Sequence, residues 1–176
     1  MAEAHSIVAG RSCGSCTLCC KVYPVPVLEK PRNVWCKECK PGSGCGIWQK
    51  RPEFCRTFHC QWMFDASLGP EWKPDVAKFV MNIQEGKTLA IAVDPGHRHA
   101  WKREPYYSKL KEIALKLFAQ GIMIVVGDGI HKILITPDDH IIIGKQEEKV
   151  TYTLGCERSG SYTRWFARIE DEPAAA

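Results

Sequence analysis

The sequence predicts an α+β protein in which an irregular cysteine-rich segment precedes an antiparallel sheet covered by one amphipathic helix. Two observations indicate this class. Nine of the ten cysteines lie between residues 13 and 60, where prolines are frequent and aliphatic side chains are few. Beyond residue 75, short apolar runs alternate with turn signals, and one stretch has helical periodicity. Strands in one sheet with a helix on one face form the α+β class.

Composition changes near residues 69–75, and we expect the chain to divide there. The expected parts are a cysteine-cluster metal-binding region (1–74), an α+β region (75–170) and a flexible tail (171–176). No apolar run approaches the roughly 20 residues that span a bilayer. The N-terminal stretch also lacks the apolar core of a secretory signal peptide. We therefore expect a cytoplasmic protein without a membrane segment.

The first elements of the α+β region follow from local pattern. Residues 77–84 and 88–94 are apolar or alternating and flank a short connection at residues 85–87, which predicts a hairpin. Apolar residues then recur at helical spacing between Pro105, which a first helical turn tolerates, and Gly121, which is well placed to end a helix. The sequence therefore predicts one amphipathic helix after a β-hairpin.

The remaining strands are predicted from apolar runs and turns. Asp128-Gly129 is a strong tight-turn signal between the apolar residues 122–127 and 131–137. Further strands are expected at residues 139–144, 149–154 and 162–169. This region offers packing and no obvious chemistry.

The cysteines indicate the chemistry. Four of them lie within the eight-residue run CGSCTLCC, and the segments WCKECK, GSGCGIW and RPEFCRTFHCQW supply five more. Two CxxC pairs with sixteen residues between them match the spacing of structural zinc sites. The sequence therefore predicts a thiolate metal site. Its candidate ligands are Cys13, Cys16, Cys19, Cys20, Cys36, Cys39, Cys45, Cys55 and Cys60.

A disulfide framework is the competing interpretation of these cysteines. Disulfide scaffolds are usually short secreted chains that lack a sufficient core, whereas this chain has 176 residues, of which 45% are hydrophobic. The clustered cysteines are odd in number, and the adjacent Cys19 and Cys20 suit two different partners better than each other. Reduced thiols in a cytoplasmic setting are therefore expected.

The spacing leaves the number of metal ions open. One arrangement has two tetrahedral ions and leaves Cys13 without a metal. Its ligand sets are Cys16, Cys19, Cys36 and Cys39 for one ion, and Cys20, Cys45, Cys55 and Cys60 for the other. In the alternative arrangement, three ions share the nine thiolates, and three of the thiolates bridge two ions each. His59 is a candidate tenth ligand, but the abundance of sulfur favours a packed or exposed histidine there.

Zinc is the favoured metal, and iron or an iron–sulfur cluster is the alternative, because thiolates bind both. CxxCxxC also opens the cysteine run of bacterial ferredoxins, in which three residues, a fourth cysteine and a proline follow. Here Cys20 follows Cys19 at once, and Lys21 comes next. Zinc implies a structural or metal-handling role, whereas an iron–sulfur cluster implies a redox or oxygen-sensing role.

The cysteine motifs resemble those of a known family. The matching elements are CxxCxxCC at residues 13–20, the pair Cys36 and Cys39, Gly44-Cys45, and RPxxCRxFxCxW at residues 51–62. Together they resemble the CxxCxxCC zinc- or iron-chelating domain family, the YkgJ-type cysteine-cluster proteins. The stretch from DPG to WxRxPYY is loosely similar to longer bacterial members. The resemblance implies a metal site and leaves the metal and any reaction undecided.

Charged and aromatic residues among the thiols have expected supporting roles. Arg56 is the best candidate to offset thiolate charge, because a nearby cation lowers the pKa of a thiol. Lys37 and Lys40 are expected to be solvated surface cations. An aromatic shell that shields the site is expected from Trp35, Trp48, Phe54, Phe58 and Trp62.

Other function classes have weaker support. The formal net charge of +4 lies in the first 74 residues, but nine thiolates with two or three divalent ions bring that charge close to zero. Nucleic acid is therefore disfavoured as a partner, and a zinc-dependent interaction module is kept as a further alternative. A catalytic zinc needs an open coordination position, and neither His97–His99 nor Cys156 carries a catalytic signature. An enzymatic role is therefore disfavoured.

Overall fold

A computed structural model of the chain describes residues 6–84, 87–160 and 162–170. Within these ranges the protein combines short helices, one long helix and antiparallel strands, so the predicted α+β class is confirmed. The predicted tail lies outside the described residues.

The chain forms two compact units. The first ends at Asn82 and also includes Ala92–Trp101, and the second comprises Ile83–Ile91 and the residues from Lys102 onward. The division that composition predicts near residue 74 stays a prediction.

The first unit is built from short elements joined by turns. Its helices are α1 (Cys19–Val22), α2 (Glu53–Thr57), α3 (Gln61–Phe64) and α4 (Pro74–Ala77). A two-stranded antiparallel ladder joins β1 (Cys39–Lys40) to β2 (Gly44–Cys45). Helices this short are unstable in isolation, so tertiary contacts must hold them in place.

A small apolar core in the first unit holds helix α1. Its buried members are Leu18, Val22, Tyr23 and Val80. Phe58, Ala92 and the thiol-bearing Cys19 and Cys60 pack against them. Apolar burial therefore anchors two of the predicted ligands directly.

A five-stranded sheet has the order β3-β4-β5-β6-β7. Its strands are β3 (Phe79–Gln84), β4 (Thr88–Val93), β5 (Met123–Gly127), β6 (His131–Ile135) and β7 (His140–Lys145). The pairs β5–β6 and β6–β7 are antiparallel. Strands that follow one another in sequence are neighbours in the sheet, so the predicted β3–β4 pair is present, although part of its connection lies outside the described residues.

Helix α5 (Tyr106–Phe118) is the longest helix described. It begins one residue after Pro105, and Gly121 follows its end with φ of 72°. The helix packs against β5 and β6 in the second unit, which confirms the predicted amphipathic helix. Its buried side chains recur every four residues and are Tyr106, Leu110 and Ala114. No helix in the described part of the chain has the length and apolar character needed to cross a membrane.

The last strands form a separate two-stranded sheet. Strands β8 (Thr151–Ser159) and β9 (Tyr162–Glu170) pair antiparallel along their whole length. Strand β8 runs past the predicted end at residue 154, through small and charged residues that local pattern does not mark as strand. Pairing with β9 supplies backbone hydrogen bonds to this extension, so its extended conformation depends on a partner distant in sequence.

Candidate metal centre

Nine of the ten cysteines line one cavity in the first unit, with a volume of about 100 Å³. These nine are the predicted ligands Cys13, Cys16, Cys19, Cys20, Cys36, Cys39, Cys45, Cys55 and Cys60. Cys156 lies elsewhere, exposed on strand β8. All ten thiols are free.

The first cysteine run folds into a tight turn followed by helix α1. The backbone N–H of Cys16 donates to the carbonyl of Cys13 at 2.8 Å. Gly14 within this turn has φ of 51°, a conformation that glycine adopts with little strain. Helix α1 then carries Cys19 and Cys20 at its first two positions.

The second CxxC pair is tied to the first run through the backbone. The N–H of Cys39 donates to the carbonyl of Cys36 at 3.0 Å, and the N–H of Cys36 donates to the carbonyl of Cys20 at 3.0 Å. Cys39 lies directly opposite Cys45 in the β1–β2 ladder. Gly44, with φ of 129°, leads into Cys45. Four cysteines from three sequence segments thus share one local backbone network.

Cys60 is positioned by an arginine that local sequence motifs do not mark. Cys60 is the N-cap residue of helix α3. Arg11 donates to the carbonyls of Trp62, Asp65 and Leu68, and its guanidinium lies 4.7 Å from the centre of the Trp62 ring. This clamp holds the segment just before Cys13 against the segment that begins with Cys60.

Hydrogen bonding among three thiols shifts their pKa values, with Cys19 and Cys39 as donors and Cys20 as the acceptor. The Cys19 bond is the largest influence on Cys20. It acts with the Cys39 bond and the charge of Lys30 to lower the pKa of Cys20 from 9.0 to about 6, although burial opposes the change. The same bond strongly raises the pKa of Cys19, and burial adds to that effect. Cys20 is therefore the thiol best prepared to act as a thiolate.

Burial raises the pKa of most other thiols. Neighbouring thiols add to this effect, and the neighbours that act on Cys60 differ from those that act on Cys55. The pKa of Cys60 rises to about 11 through burial, with further contributions from the charges of Cys16 and Cys13. The pKa of Cys55 is raised by burial, and the added charges come from a different group, Cys20, Cys36 and Cys45. Cys60 and Cys55 therefore belong to different thiol surroundings.

The cation expected to offset thiolate charge is Arg51 and not Arg56. Arg51 lines the cavity together with Lys73. Its guanidinium lies 3.4 Å from the centre of the Trp48 ring and donates to the carbonyls of Trp48 at 2.9 Å and Cys55 at 3.4 Å. Arg56 is exposed and is not part of the lining. Spacing could not decide this, because Arg51 precedes helix α2 whereas Arg56 lies on it, and the fold exposes Arg56.

Lys30 is a buried cation behind the cysteines. Like Arg11, it was not marked by the sequence motifs. Its side chain is 5% exposed. The ammonium donates to the carbonyls of Lys21 at 2.7 Å, Pro31 at 3.0 Å and Tyr23. Burial lowers the pKa of Lys30, and thiolate charge at Cys36 and Cys20 opposes that shift. The lysine therefore supplies positive charge and holds the chain just after helix α1.

The predicted aromatic shell is present in large part. Trp48, Phe54, Phe58 and Trp62 line the cavity, together with Tyr23. Trp35 is not part of the lining and is 38% exposed.

Among the described residues, the histidines lie apart from the thiol lining. His59, the candidate tenth ligand, is not part of the lining, and its Nδ1 lies 3.0 Å from the carbonyl oxygen of Thr57. His97 is paired with Asp94, with 3.6 Å between Nδ1 and Oδ2. Sulfur is therefore the main donor type around the cavity.

The thiols surround the cavity without converging on one point. Among the described residues, no three His, Cys, Asp or Glu side chains are arranged to hold a metal ion as they stand. Four sulfurs would reach a common ion only after side-chain rotation. The donor set itself suits zinc or an iron–sulfur cluster. A cavity of about 100 Å³ exceeds the roughly 10–15 Å³ that a cavity needs to hold one water, so it has room for more than one small ion.

Comparisons with protein-family models, with curated proteins and with solved structures give no match. The resemblance to the CxxCxxCC family rests on the motifs and stays a prediction. The function is therefore inferred from the chemistry of the cavity.

Proposed function

We propose that this protein binds metal ions, zinc in preference to iron, through the thiolates of its nine-cysteine cavity, in a structural or metal-handling role. The main support is that nine of ten cysteines, drawn from four sequence segments, line a single cavity. A chance distribution of thiols would not leave only Cys156 outside it. Thiolate ligands favour zinc, copper(I) and iron–sulfur clusters over magnesium or calcium.

The surroundings of the thiols support deprotonation and metal binding. A thiol must lose its proton to ligate a metal. The low pKa of Cys20 provides one thiolate near neutral pH. Arg51 and Lys73 in the lining, with Lys30 behind it, offset the negative charge that further thiolates would bring.

A structural role follows from the short elements of the first unit. Helices α1 to α4 have four or five residues each, and the apolar core around Leu18 and Val80 is small. Metal–thiolate bonds supply folding free energy in domains of this kind. We also infer a reducing, cytoplasmic compartment, because free thiols need one.

Metal analysis of native protein tests the proposal. The protein is purified anaerobically under reducing conditions, and zinc, iron and thiols are counted per chain. Zinc without visible absorption supports the proposal, whereas iron with broad visible absorption favours the iron–sulfur alternative. Cys36→Ser should lower metal content, and Cys156→Ser, the matched control outside the cavity, should not. If the purified protein contains neither zinc nor iron and its cavity thiols are present as disulfides, metal binding is refuted.

A further inference from the structure

The backbone of the first unit divides the cavity thiols into two sets, and this division deepens the proposed function on which it rests. The first set contains Cys13, Cys16 and Cys60. Cys13 and Cys16 share a tight turn. The Arg11 clamp and a 2.9 Å bond from the N–H of Val8 to the carbonyl of Met63 hold the segment before Cys13 against the segment that begins with Cys60. Residues about fifty apart in sequence are thereby brought together.

The second set contains Cys20, Cys36, Cys39 and Cys45. Two backbone bonds run from Cys39 to Cys36 and from Cys36 to Cys20. Cys39 and Cys45 are cross-strand partners, and directly opposed residues of an antiparallel pair have Cα atoms about 4.5–5.5 Å apart. The backbone bonds and the ladder therefore hold these four residues side by side.

The adjacent pair Cys19-Cys20 separates the two sets. Successive residues of a helix project about 100° apart, so two neighbours at the start of helix α1 are suited to different ions. Cys20 belongs to the second set through Cys36 and Cys39. Cys19 packs against the same small apolar core as Cys60, a member of the first set. Cys19 therefore completes the first set as its fourth member.

Cys55 is the ninth thiol. The second set already has four members tied by the ladder and the backbone bonds. Cys55 itself lies on helix α2, where its carbonyl accepts a bond from Arg51. A closed tetrahedral shell takes four ligands, so two complete sets of four leave the ninth thiol without an ion.

We propose that the cavity contains two separate tetrathiolate sites for divalent zinc, one formed by Cys13, Cys16, Cys19 and Cys60 and the other by Cys20, Cys36, Cys39 and Cys45. Cys55 ligates neither ion. This division differs from both arrangements that spacing suggests. Binding is a simple exchange in which each ligating thiol releases its proton to solvent and each zinc ion loses its waters.

Matched double variants test the division, with Zn²⁺ alone as the probe and bound ions counted by native mass spectrometry in the presence of a competing chelator. The unsubstituted protein should hold two ions. Cys13→Ser/Cys60→Ser removes two thiols from one set and should retain one ion. Cys36→Ser/Cys60→Ser removes the same number, one from each set, and should retain none. Cys55→Ser should retain two.

Alkylation of the zinc-saturated, unsubstituted protein gives a second measurement that does not depend on the folding of a variant. Cys55 and Cys156 should be labelled, and the other eight cysteines should be protected. Three results would each overturn the division while leaving metal binding intact. They are equal zinc loss in the two double variants, three bound ions per chain, and protection of Cys55 from alkylation. Failure of the unsubstituted protein to bind zinc would instead overturn the proposed function together with it.

Discussion

Replacement of Lys30 by methionine tests whether a buried cation holds the segment that carries Cys19 and Cys20. Lys30→Met keeps the length and most of the apolar volume of the side chain but removes its donors. The carbonyls of Lys21, Tyr23 and Pro31 then lose their ammonium partner. Two of them belong to the last turn and the C-cap of helix α1, so the loss acts directly on the position of the helix.

The expected cost follows from these three bonds. A hydrogen bond to a charged group contributes about 1.5–3 kcal/mol net. The three bonds share one ammonium, and its removal also relieves the cost of burying a charge, so they do not add in full. We expect a net loss of about 3 kcal/mol, which corresponds to roughly a 100-fold change in the local opening equilibrium, because each 1.4 kcal/mol is tenfold.

Native-state amide hydrogen exchange measures this loss locally, on the protein as purified under reducing conditions without a chelator. Exchange of the amides in residues 18–31 should accelerate on the order of 100-fold. Lys37→Met is the matched control, because Lys37 is exposed and surface changes usually stay within about 0.5 kcal/mol. Equal exchange in the two variants would refute the role assigned to Lys30.

Three further predictions concern the thiols, an ion pair and the metal. In metal-free protein, peptide-resolved alkylation at pH 7 should label Cys20 well before Cys39, because the pKa of Cys20 is about 6 and burial raises that of Cys39 to about 12. Labelling of Cys20 should decline below pH 6. Equal labelling rates for the two thiols would contradict the thiol hydrogen bonds. Asp94→Asn should lower the free energy of unfolding by about 1.5–3 kcal/mol at pH 7, because Asp94 is bonded to Lys21 at 2.6 Å and both side chains are largely buried. Glu112→Gln, the control in an exposed ion pair, should change the free energy of unfolding by less than about 1 kcal/mol. Equal effects of the two variants in denaturant titrations would argue against a stabilising role for the Lys21–Asp94 pair. Burial raises the pKa of Asp94, but the bonds from Lys21 and the Gly96 N–H, together with the charges of Lys21 and His97, outweigh it and hold that pKa below its ordinary value. The contribution should therefore fade only as the pH falls through this lowered pKa. Chelation under reducing conditions should increase amide exchange in residues 13–62 first and leave most protection in residues 75–170, since a structural zinc supplies folding free energy on the order of 10 kcal/mol. Simultaneous loss of protection in both ranges would show that the chain is one cooperative unit.

Local pattern was sufficient for most of the second unit. Helix α5, the turn at Asp128-Gly129 and the strands beyond it follow from side-chain periodicity and turn chemistry, which act between residues close in sequence. The far half of strand β8 was missed, because its extended conformation depends on pairing with β9 and not on its own composition.

The sequence by itself determined which residues form the candidate site. Cysteine side chains are the donors, and their clustering between residues 13 and 60 was enough to select the nine that line the cavity. Spacing within a CxxC pair also specified the tight turns at Cys13–Cys16 and Cys36–Cys39, because such turns involve only neighbouring residues.

Only the tertiary structure decided what surrounds those thiols. The Arg11 clamp joins residues more than fifty positions apart, and Lys30 reaches three backbone carbonyls that no motif marks. The choice of Arg51 over Arg56 depends on how the fold places them, with Arg51 lining the cavity and Arg56 exposed on helix α2. These arrangements arise from long-range packing and backbone hydrogen bonds, whose partners are set by the folded chain and not by distance along it.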